Sequence, residues 1–94
     1  MLTGSIYVDL SGDDAADHVA RDRHAISRAR LDDAPDGTRV IVLAGRRRWA
    51  LDPYVLETLH TESGRLNIDI RGADGETIAA WHRAIKSGRA GVVV

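Results

Sequence analysis

Three short apolar segments, SIYVDL at 5–10, RVIVLAG at 39–45 and RLNIDI at 65–70, are each followed by a stretch with helical periodicity. No other feature restricts the fold as much, because repeated strand and helix in this order predicts parallel strands joined by right-handed crossovers. In the first segment Ile6, Val8 and Leu10 alternate with Tyr7 and Asp9; in the third Leu66, Ile68 and Ile70 alternate with Asn67 and Asp69. That period of two marks strands with one buried face. The middle segment is apolar on both sides, as a central strand is, and GVVV at 91–94 is read as a short final strand.

The polar residues of the outer strands carry topological information. A sheet covered by helices on both faces has strands that are apolar throughout, so Asp9, Asn67 and Asp69 place the helices on one face. The other face is expected to show Tyr7 and Asp9, the apolar pair Ile41 and Leu43, and Asn67 and Asp69. Such a strip with polar edges suits a partner, a second copy or a cover from the chain itself. The expected architecture is a single α/β domain over residues 1–94, ordered β-α-β-α-β-α-β, with a mainly parallel sheet.

The three helices differ in how strongly they are signalled. The first is read over 13–31, with Asp13 or Asp14 near its start and a weak stripe of Ala15, Val19, Ile26 and Ala29. The second starts clearly: Asp52 suits the N-cap, Pro53 the first helical position, and Leu51 and Leu56 a hydrophobic staple. The third runs from Gly75 to Ser87, burying Ile78, Trp81 and Ile85 and stopping at Gly88. DAPDG at 33–37 and GADG at 72–75 are turns.

Composition narrows the function. A chain of 94 residues, 44% hydrophobic and 29% charged, fits an ordinary globular domain with one modest core. The lack of cysteine excludes disulfides, thiolate metal sites and cysteine nucleophiles. No apolar run approaches the ~20 residues of a membrane span, and MLTGSIYVDLSG lacks the marks of a signal peptide, so a cytoplasmic protein is expected. A net charge of -1 argues against coating nucleic acid through the overall field, so any basic function must be local.

The local candidate is GRRRWALDPYVLETL at 45–59, where Arg46, Arg47, Arg48 and Trp49 precede the capped second helix. The arginines precede a helix whose N-terminal amides and dipole favour an anion, although pairing with nearby aspartates explains them equally well. Trp beside Arg is typical of binding hot spots and also stacks bases, but Trp49 would serve as readily to close the core beneath the loop. Asp52 and Tyr54 continue this candidate surface into the helix.

Other chemistry is poorly supported. His18, His24, His60 and His82 fall on three helical stretches without a metal-binding pair spacing, and neither a phosphate loop nor a nucleophile elbow occurs. Asp9 and Asp69 are candidates to face one another across the open sheet, but without a pocket to desolvate them acid-base catalysis is not expected. No enzyme, metal or cofactor is expected.

With this order of elements, the chain resembles the STAS domains, the sulfate transporter and anti-sigma factor antagonist family. YVDLSGDDAAD at 7–17 is similar to the family's strand, L-S-G and acidic start of a helix; RVIVLAGRRRWALDPYVLETL at 39–59 is similar to its central strand, loop and short helix. GRLNIDIRGADGETIAAWHRAIKSG at 64–88 and GVVV resemble the following strand, turn, helix and last strand. The resemblance implies sequentially ordered strands in a right-handed superhelix and a role in binding a regulatory protein. It departs where bacterial antagonists carry Asp-Ser-Ser/Thr-Gly, with a hydroxyl phosphorylated by a partner kinase. Here Asp52, Pro53, Tyr54 and Val55 stand, so only the Asp matches and that switch is not expected. The family's initial edge strand has no counterpart before Ile6, leaving an edge for pairing.

These readings lead to a small non-catalytic interaction or regulatory module, a phage-encoded or accessory factor that modulates a host protein. A homodimer is expected through Tyr7, Asp9, Ile41 and Leu43. The alternative is an anion, nucleotide or nucleic-acid binder using Arg46 to Trp49; a membrane partner is not expected.

Overall fold

The computed structural model describes residues 4–12, 18–45 and 52–87. Over these the elements are β1 (Ile6–Asp9), α1 (His18–Ala29), a short 3-10 turn (Leu31–Asp33), β2 (Arg39–Leu43), α2 (Pro53–Glu62), β3 (Asn67–Arg71) and α3 (Gly75–Ser87). The strands form one parallel sheet in the order β1-β2-β3. The proposed strand at 91–94, the helical residues 13–17 and the segment 46–51 lie outside the described residues. No described helix is long and apolar enough to cross a membrane.

Register explains the core. Ile6, Val40 and Ile68 align across the sheet, as do Val8, Val42 and Ile70, and these side chains share one face. All three helices close on that face, since Ile26 of α1, Val55, Leu56 and Leu59 of α2, and Ala80, Trp81 and Ile85 of α3 join Val8, Val40, Val42 and Ile70 in one buried cluster. Trp81 is only 1% exposed and is the largest fully buried side chain among the described residues. Ile68 and Ile78, expected deep in the core, are half-buried at its margin.

The opposite face aligns Tyr7 with Ile41 and Asp69, and Asp9 with Leu43 and Arg71. The expected open apolar strip is corrected here: Ile41 is 3% exposed and Leu43 is half-buried, leaving Tyr7 as the exposed apolar group. Ile41 stands on the middle strand with neighbours on both sides. Beside it Asp69 holds Arg71 at 2.8 Å and Arg39 at 3.9 Å, so long side chains border the strip. Asp9 and Asp69 do not converge either. They lie at different levels of the outer strands, with β2 between them, roughly two strand spacings or 10 Å apart.

The first helix also differs from its expected stripe. Ile26 is buried and Ala29 packs against the core, but Val19 is 39% exposed, and Asp22 takes an inward position. The helix stops at Arg30, whose φ of 52° is left-handed, rather than continuing through Leu31. Arg65 then anchors the turn after it, donating to the Leu31 carbonyl at 2.7 Å, to the Ala34 carbonyl, and to Glu62 and Asp36.

Candidate functional site

The N-terminus of α2 is built as its sequence predicts. Asp52 has an extended backbone, Pro53 opens the helix, and the Asp52 carboxylate accepts the Val55 N–H at 3.3 Å. This satisfies one of the helix's unpaired first-turn donors and sets negative charge at the positive end of its dipole.

A third contribution comes from α1. Arg23 donates Nε at 3.0 Å and Nη2 at 3.1 Å to the two oxygens of Asp52, a two-pronged pair joining the helices. Its guanidinium carbon also lies 5.8 Å from the centre of the Tyr54 ring, near the outer limit for an attraction between a cation and an aromatic face. Burial alone would push the Asp52 carboxyl up, but the Arg23 hydrogen bond, the Val55 N–H and the Arg23 charge together hold it below the usual carboxylate range. Arg23 is raised in turn, first by its hydrogen bond to Asp52.

Of the candidate surface, the structure therefore brings Asp52 and Tyr54 together and adds Arg23, whereas Arg46, Arg47, Arg48 and Trp49 lie outside the described residues. Asp52 is buried and structural, while Tyr54 remains 49% exposed beside the solvent-facing Arg23. No local pattern announced Arg23, because its partner is 29 residues away and the two meet only when α1 packs on α2. The one available signal was generic, an arginine on a helix otherwise poor in apolar residues.

Tyr7 and Asp9 occupy a second region, at the outer edge of the sheet. With Ala25, Arg28 and Ala29 of α1 they line a shallow recess beside β1. The Asp9 carboxylate accepts from the Ser11 amide at 3.0 Å and from the Ser11 hydroxyl at 2.5 Å, fixing the chain as it leaves the strand. The histidines are spread over the three helices; His60 Nδ1 donates to the Ile85 carbonyl at 2.6 Å and ties α2 to α3.

These features define a small parallel α/β domain with a polar clasp between two helices. No protein-family model, curated protein or solved structure matches the chain.

Proposed function

We propose that the protein is a non-catalytic interaction module that binds a regulatory or host protein, as its STAS-like sequence pattern suggests. The observation that carries this reading is the exposed Tyr54 with Arg23 over its ring, on a rigid helix start fixed by Asp52. Tyrosine and arginine contribute disproportionately to protein interfaces, because each joins a large contact area to directed hydrogen bonding. Arg46 to Trp49 precede this same helix in the sequence and are part of the same proposal. The anion-binding alternative is weaker at α2 itself, where a carboxylate already takes the Val55 amide and places negative charge at the helix end. Affinity capture from the source cell, run with parent and Tyr54→Ala side by side, tests the reading. A partner held by the parent and lost from the variant is expected. Equal recovery by both, or turnover of a small molecule with no partner, removes it.

The second copy belongs to the same proposal and uses the edge of β1. The Leu10 N–H points to Leu43 on β2. Since N–H and C=O directions alternate along a strand, those of Tyr7 and Asp9 point away from β2, and β2 is the only strand beside β1 among the described residues. Antiparallel pairing of two such edges matches Tyr7 of each copy with Asp9 of the other and brings each Arg28 toward the opposite Asp9. Light scattering over a range of concentrations should show a dimer that Tyr7→Lys weakens. A parent that stays monomeric at high concentration ends this part of the proposal.

A further inference from the structure

Two arginines of the fold hold a carboxylate through the Nε and Nη2 edge of the guanidinium. Arg23 uses Nε and Nη2 on Asp52, and Arg65 uses Nε and Nη2 on Glu62, at 3.2 Å and 2.9 Å. At Arg21 the same two nitrogens are closed off from solvent, yet neither has an acceptor among the described residues. Buried donors are almost always met, and a charged donor left without an acceptor is especially unfavourable. The arrangement therefore calls for a partner.

Its position indicates what kind. The guanidinium lies on the backbone of Gly12, just beyond the carboxyl end of β1. A Cβ built there would fall 2.1 to 2.4 Å from Nη1, Cζ and Nη2, so only glycine lets Arg21 lie in this place. The neighbouring strand ends are drawn close by glycine as well. Gly45, with φ of 65°, presses on Ser11, where an added Cβ would sit 2.9 Å from the Ser11 Cα and carbonyl oxygen. Open parallel sheets bind ligands at this end of their strands.

We infer that Arg21 and Gly12 form a small oxyanion site, with the Nε and Nη2 edge of Arg21 gripping two oxygens of a carboxylate or phosphate group. That edge carries parallel donors spaced for such oxygens, and it is always charged. The nearby carboxylate of Asp9 is already engaged by Ser11, and Asp22, though buried, projects from α1 in a direction about 100° away from Arg21. The site uses neither Tyr54 nor Arg23, so it stands or falls apart from the interaction reading.

Nuclear magnetic resonance of the arginine Nε–H groups tests this in the full chain, titrated with inorganic phosphate and, separately, with acetate at constant ionic strength. One of the two anions should shift the Arg21 signal to saturation and leave Arg23 in place; which one does so separates a phosphate from a carboxylate ligand. Followed through the Ser11 and Gly12 amides, binding should weaken about tenfold or more in Arg21→Lys, as expected for loss of a two-pronged charged contact. Gly12→Ala should weaken it similarly by displacing the guanidinium. Should that variant not fold, Arg21→Lys decides alone. Absence of saturation with both anions, equal shifts at every arginine, or unchanged binding in folded Arg21→Lys overturns the site. So does an Arg21 Nε–H found bonded to a carboxylate of the chain itself.

Discussion

Helices α1 and α2 pack against the same face of the sheet but are held there by different means. In α2 the local and tertiary signals agree: Asp52 caps, Pro53 starts the helix, and Val55, Leu56 and Leu59 are fully buried. In α1 Ile26 is the only large apolar side chain in the core, Ala25 and Ala29 add little area, and the buried arc includes Asp22. The second helix would be recognised anywhere; the first depends on where it has been put. Agreement between levels gives α2 its definition, and α1 takes part of its position from the Arg23 clasp on Asp52.

The largest expected effects test this division directly. Leu59→Ala and Ile26→Ala each remove a fully buried side chain and should cost about 2 to 5 kcal/mol in denaturant unfolding. Their local consequences should differ. Native-state hydrogen exchange of Ile26→Ala should show α1 opening well before α2, because little else anchors it, whereas Leu59→Ala should lower protection throughout. Equal loss of protection in both helices of Ile26→Ala would break the comparison.

A smaller effect belongs to the clasp. Asp52→Ala removes the cap of α2 and should cost about 1 to 2 kcal/mol, while Asp52→Asn keeps a capping oxygen and should cost less. Acid distinguishes the two. The folded carboxyl of Asp52 lies below its ordinary value, so between the folded and unfolded values the unfolded chain binds more protons. The stability it contributes is complete above the unfolded value of about 3.9 and is lost as pH falls through the lower folded value. Unfolding measured from pH 6 down to pH 2 should therefore show a loss in the parent below about pH 4 that is reduced in Asp52→Asn. Parallel curves would assign the acid sensitivity to other carboxylates.

The sequence conveyed the sheet and α3 well because each is encoded locally. Alternation in β1 and β3 assigned the core face, and α3 spans the expected Gly75–Ser87, with Asp74 accepting the Thr77 N–H at its start. The helix-starting role of Asp52 was equally plain. Alternation states which face a side chain occupies but not what lies over it, so Ile41 was assigned to the correct face and misjudged as open. Arg23 and Arg21 escaped notice for a related reason. The significance of each depends on a residue brought near by folding, Asp52 in one case and Gly12 in the other, and spacing along the chain carries no trace of either meeting.

The smallest predicted effect concerns Val19, which marks the limit of a periodicity argument. At about 100° per residue Val19 lies only about 20° from Ile26, so the stripe appears to include it. The displacement, however, is toward Arg23, on the exposed side, while the buried arc runs the opposite way through Asp22 and Ala29. A side chain 39% exposed in the first described turn of α1 has little packing to lose. Val19→Ser should then change unfolding free energy by no more than about 0.5 kcal/mol, as for other surface substitutions. A cost near that of Ile26→Ala would mean that Val19 is packed after all, and that α1 is anchored along its whole length much as α2 is.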